Sequence, residues 1–129
     1  LTPEEELQSG IDQLRKKNYS KSKQIFENFI NNNPKNNLSG TAHYWLGKIY
    51  LFEKNYRNAA LTFGEGVQNF PKSIKAAEMS YELVISLNQM GKNDEACKTF
   101  LLLKDNYKNS KFAKDPKQII EKLNCETNN

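Results

Sequence analysis

Few residues in this chain are of the types that do chemistry, and their spacing argues against most reactions. His43 is the single histidine among 129 residues. A catalytic base or metal ligand needs partners, such as a second imidazole, a thiolate or a carboxylate at ligand spacing. His43 has no such set and is read as a packed ring. Glu4-Glu5-Glu6 follows Thr2-Pro3, so these acids are read as partners of a helix N-terminus, not as an acid cluster. Trp45 is read as an anchor between packed helices. There is no phosphate loop, no nucleophile elbow and no supported Cys–His pair. We therefore expect no enzyme, no cofactor and no metal site.

Two cysteines remain, Cys97 and Cys125. Cys97 falls on an amphipathic segment, and Cys125 just after the last apolar stretch. The chain reverses near Asn109-Ser110, which would bring the two segments together. A disulfide between them would staple the C-terminal segment to the rest and imply an oxidising compartment. The alternative is two unrelated thiols, one of them buried. The bonded reading is preferred.

The elements that must position these residues follow from a repeat. Phe26, Phe63 and Phe100 recur every 37 residues, as do Pro34 and Pro71, and Gly10 and Gly47. Lys17-Asn18-Tyr19 returns as Lys54-Asn55-Tyr56. The clearest unit runs from Gly40 to Ser73. Leu46, Gly47 and Tyr50 lie at helical spacing, followed by Ala59, Phe63 and Gly66 on a second helix and by Pro71 as its stop. Two helices approach closely only where Gly or Ala leaves room and a large ring fills the space beside it. This pattern resembles the tetratricopeptide repeat (TPR).

The expected fold is all-α: a TPR-type superhelix of three helix-turn-helix repeats (about 3–36, 37–73 and 74–110) plus a C-terminal capping helix at about 111–124. Residues 1–125 form a single domain with a frayed tail at 126–129. Thr2 caps the first helix and Ser20 is expected to cap the second. The third repeat is degenerate, because Val84 stands for Gly47, Leu87 for Tyr50 and Lys108 for the proline. Pro116 marks the first turn of a shorter last helix.

Composition narrows the partners. The net charge is +4, but the lysines are scattered and Arg is scarce. Nucleic-acid binding is not expected from such a surface. No apolar run reaches the roughly 18–20 residues of a membrane span. Residue 1 is Leu, so the chain reads as a piece of a processed or longer protein.

In a stack of helix pairs the first helix of each pair lines the inner surface. A partner-binding groove is therefore expected from Thr41, Tyr44, Lys48 and Leu51, with Glu78, Tyr81, Ile85 and Asn88 in the next repeat. Tyr44 and Tyr81 hold equivalent places and are expected to be exposed, as contact area for an extended or helical peptide. The alternative is that both rings cover the seam between repeats.

Ala42-His43-Tyr44-Trp45-Leu46-Gly47, Asn69-Phe70-Pro71-Lys72-Ser73 and the Asp94-Glu95-Ala96-Cys97 segment together narrow the resemblance. The chain is similar to the C-terminal TPR domain of the YbgF/CpoB family, the cell division coordinator associated with the Tol–Pal system. The cysteine pattern resembles alphaproteobacterial members. The resemblance implies a periplasmic interaction module of Gram-negative bacteria. Its partners would be a TolA-like component and the peptidoglycan synthase machinery, and it would coordinate outer-membrane constriction with septal wall synthesis. It also implies trimerisation through an N-terminal coiled coil absent from this sequence. The alternative is a TPR scaffold of outer-membrane protein assembly. A co-chaperone-like clamp for acidic tails has Lys48 and Asn88 available, but Glu78 would repel such a tail. A peptidoglycan hydrolase lacks a catalytic pair.

Overall fold

The computed structural model describes residues 1–115 together with Leu123 and Cys125. Among the described residues it contains seven helices and no strand. These are α1 (Pro3–Arg15), α2 (Tyr19–Asn32), α3 (Leu38–Phe52), α4 (Tyr56–Asn69), α5 (Ala76–Gln89), α6 (Asn93–Asn106) and α7 (Lys111–Lys114). Each helix packs on the next in sequence, and further contacts run along the odd series, α1 on α3, α3 on α5 and α5 on α7. The odd helices therefore stand side by side as one layer. This is the TPR-type helical stack expected from the sequence.

The first turn is built as its residues dictate. Thr2 Oγ1 accepts from Glu5 N at 3.1 Å, and Glu5 Oε1 accepts from Thr2 N at 2.9 Å. This reciprocal box satisfies two N–H groups at the start of α1. The hydrogen bond from the Thr2 backbone, then that from its side chain, holds the Glu5 carboxyl below its usual range.

Within each repeat the chain reverses on a single residue in the left-handed region: Lys17 (φ 62°), Lys54 (φ 59°) and Gly91 (φ 76°). The next amide then reaches back five residues. Asn18 N donates to Gln13 O at 2.9 Å, Asn55 N to Tyr50 O at 2.8 Å, and Lys92 N to Leu87 O at 2.9 Å. This closure satisfies orphan carbonyls at the helix end. It also corrects the expectation for Ser20. Because the reversal is so tight, α2 starts at Tyr19 with Asn18 as its cap, and Ser20 lies inside the first turn.

The small–large pairing decides how close the helices come. An added Cβ at Gly10 would lie 2.6 Å from Phe26 Cε1, and one at Gly47 would lie 2.6 Å from Phe63 Cζ. Both rings are fully buried at 0% exposure. In the third repeat Val84 occupies the glycine position, and Phe100 is only half-buried.

The C-terminal segment closes this third repeat. Ser110 Oγ caps α7 by accepting from Phe112 N at 3.1 Å. The Phe112 ring lies 5.2 Å from that of Tyr81. Leu123 is buried in one cluster with Tyr81, Val84 and Leu103. Cys97 and Cys125 are joined by a disulfide with their Cα atoms 5.3 Å apart. Of the capping helix expected at about 111–124, the described residues show Lys111–Lys114. Pro116, most of the remaining stretch to 124 and the tail 126–129 lie outside the described residues.

Candidate functional site

The inner layer is held together by a ladder of polar contacts between α3 and α5. Tyr44 Oη donates to Glu78 Oε2 at 2.8 Å, and one turn along Lys48 Nζ donates to Glu82 Oε2 at 2.7 Å. Lys75 Nζ sits 4.6 Å from the centroid of the Tyr44 ring and 3.7 Å from Glu78 Oε1. The Trp45 ring meets the Tyr44 ring edge-on at 5.0 Å. Burial, followed by the hydrogen bond and charge of Glu78, pushes the Tyr44 phenol well above its ordinary pKa. The rung is a neutral phenol donating to a carboxylate, which is a strong charge-assisted bond.

This ladder corrects the expected groove. Tyr44 is 6% exposed and Tyr81 2%, so neither ring is open contact area. Residues at these places point along the layer toward the next odd helix, Tyr44 onto α5 and Tyr81 onto Phe112 of α7. Both rings cover seams between elements. Thr41, Lys48, Leu51, Glu78, Ile85 and Asn88 remain half-exposed.

Two residues on this face were not expected from the sequence. Phe52 is 52% exposed, and Lys48 Nζ lies 5.9 Å from its ring centroid. Glu82 is 7% exposed and forms the second rung of the ladder. The signal for Phe52 is its spacing, one turn beyond Lys48 on the same helix. The signal for Glu82 is that Tyr44 to Glu78 and Lys48 to Glu82 are equal steps of 34 residues.

The Lys48 and Glu78 charges are engaged by their neighbours. His43 lies beneath the surface at 4% exposure, with Nδ1 2.7 Å from Ser39 O. A carbonyl accepts, so Nδ1 carries the hydrogen and donates. Nε2 faces Glu65 Oε2 at 3.9 Å. Among the described residues no three His, Cys, Asp or Glu side chains are grouped to hold a metal ion. The face carries three apolar side chains that are at least partly exposed, Leu51, Phe52 and Ile85, with the Phe52 ring 6.3 Å from that of Tyr19 and with Thr41 and Asn88 able to hydrogen-bond. Such a surface suits peptide contact.

The second rung is testable by a double-mutant cycle. Glu82 is nearly buried at 9% side-chain exposure and Lys48 is at 25%. Removing either partner leaves the other charge poorly compensated. Lys48→Met and Glu82→Gln are each expected to destabilise the chain, with a coupling of about 1 kcal/mol in urea unfolding. A coupling of zero would show that the rung does not tie α3 to α5.

Comparison with known proteins agrees with the repeat geometry. The profile described as "Tetratricopeptide repeat" matches residues 41–73 and 78–110. The outer membrane protein assembly factor BamD of Rickettsia prowazekii (strain Madrid E) is 37% identical over 67 residues. That match covers 52% of this chain and 27% of the relative, so the shared part is about a quarter of the relative's length. No helix of the described residues is long and apolar enough to cross a membrane.

Proposed function

We propose that the chain, which belongs to the tetratricopeptide repeat family, works as a non-enzymatic adaptor in the Gram-negative periplasm. It holds a protein segment on the inner face of the odd helices. The observation that carries this reading is the partial exposure of Leu51, Phe52 and Ile85 beside the Tyr44–Glu78 and Lys48–Glu82 ladder. A rigid scaffold beneath exposed apolar side chains loses little entropy on binding. The Cys97–Cys125 disulfide supports an oxidising compartment.

Within that reading, the Ala42–Gly47 and Asn69–Ser73 signatures favour the Tol–Pal coordinator. Its partners are then a TolA-like component and the peptidoglycan synthase machinery, and trimerisation belongs to an N-terminal coiled coil. The likeness to BamD favours a second reading, a scaffold in outer-membrane protein assembly. Photo-crosslinking separates them. A benzophenone side chain in place of Phe52, in the full-length protein in its native cell, is expected to capture a TolA-like protein or a peptidoglycan synthase. Capture of outer-membrane assembly components would select the second reading. Capture of cytosolic proteins would reject both.

A further inference from the structure

The seam between the first and second repeats and that between the second and third are built from equivalent positions, yet only one is filled in the same way. In the first seam the Tyr50 ring lies between α2 and α3, with Lys23 Nζ 5.3 Å from its centroid. Lys23 also pairs with Glu53 at 2.8 Å. Moved on by one repeat of 37 residues, Lys23 becomes Ala60, Tyr50 becomes Leu87 and Glu53 becomes Met90. Each replacement is uncharged, and two of the three are shorter.

The second seam is accordingly open. A cleft of about 310 Å³ lies between α4, α5 and the start of α6, walled by Ala60, Leu61, Leu83, Leu87 and Met90 with Arg57 at its mouth. Leu61 is 56% exposed, while Ala60 and Leu87 form a floor at 9% each. Lys92 and Glu95 also stand at the mouth and face each other at 3.8 Å. Arg57 is exposed and, among the described residues, enters no ion pair, so the mouth carries an uncompensated positive charge. At about 3.6 residues per turn, Leu83 and Leu87 lie across α5 from Glu78 and Ile85. The cleft is thus separate from the inner face.

We propose that this cleft is a second docking site, which takes an aromatic side chain from a partner peptide with an acidic residue beside it. The first seam shows the size and kind of group that fits this geometry, a tyrosine ring. The apolar floor rewards its burial. Arg57 supplies the fork that pairs with a neighbouring carboxylate.

The probe is a short synthetic peptide with a central tryptophan between two glutamates, titrated onto the whole chain carrying carbon-13 methyl labels on methionine and leucine. It is expected to move the Met90, Leu83 and Leu87 signals. A plugged variant, Ala60→Lys with Leu87→Tyr and Met90→Glu, transplants the first seam into the second. It is expected to weaken binding about tenfold or more while leaving the Phe52 crosslink unchanged. Leu61→Glu and Arg57→Glu change only exposed residues, so the fold is kept. Both are expected to weaken the same peptide, and a version with lysines in place of the glutamates should bind more weakly to the parent chain. Undiminished affinity in Leu61→Glu and Arg57→Glu would overturn the proposal, as would shifts confined to the inner face. Dimerisation through these residues in sedimentation, with the peptide inert, would assign the cleft to a second copy and overturn it too.

Discussion

Phe63→Ala is expected to cost about 3–5 kcal/mol of stability, the range for truncating a fully buried ring. Phe100→Ala, at the equivalent place, should cost about half of that or less. The reason lies on the facing helix. Phe63 is completely buried in the space that Gly47 leaves, with the position of a Cβ only 2.6 Å from its Cζ. Phe100, in the repeat where Val84 takes the glycine position, stays half-buried. The cost of truncation combines lost burial with the cavity left behind, and both are smaller for a ring already part-way out. Gly47→Val makes the same point from the other side, since it forces the third repeat's arrangement onto the second. Overpacking of this kind costs about 1–3 kcal/mol. Urea unfolding followed by circular dichroism measures all three variants. Equal losses for Phe63→Ala and Phe100→Ala would show that the glycine niche does not set the packing.

The same comparison shows what is legible in such a sequence. The repeat of 37 residues, the Gly–Phe pairing and the turn residues are all local or periodic, and they lead to the helices and their order. The replacement of Gly47 by Val84 marks the third repeat as degenerate, but its consequence for the Phe100 ring needs the helix separation. The inner face failed for a related reason. Periodicity places Tyr44 and Tyr81 on the correct side of their helices, but it does not say how near the next odd helix stands. That distance lets the Tyr44 hydroxyl reach Glu78 at 2.8 Å and turns an expected contact surface into a seam. Phe52, at the last residue of α3, escapes the seam and stays exposed.

The odd and even sides of the stack consequently carry different chemistry. Between α3 and α5, two polar rungs join the second repeat to the third and leave Leu51, Phe52 and Ile85 at least partly exposed. Between α4, α5 and α6, replacement of charged and aromatic residues by Ala60, Leu87 and Met90 opens a cleft. Both differences come from a few positions within one repeated plan. A repeat stack tolerates this because each unit touches only its neighbours, so a change at one seam leaves the others intact.

Removal of the disulfide, by Cys97→Ser with Cys125→Ser, is expected to cost roughly 3–4 kcal/mol. That follows from the entropy of closing a loop in the unfolded chain, here across a separation of 28 residues. The loss should be local. The bond ties the C-terminal segment to α6, and that segment brings Leu123 into the cluster of Tyr81, Val84 and Leu103. Val84 takes the glycine position in this repeat and Phe100 stays half-buried, so the covalent tie is expected to matter most here. Hydrogen exchange should therefore show amide protection falling in α5 and α6 while α1 to α3 keep theirs. Reduction of the unsubstituted chain should reproduce the pattern and lower its urea midpoint by the same amount. If the double variant unfolds at the parent midpoint, the staple is dispensable. If protection is lost evenly from α1 to α6, the stack behaves as one cooperative unit, and the repeats are not independent in the way that nearest-neighbour packing requires.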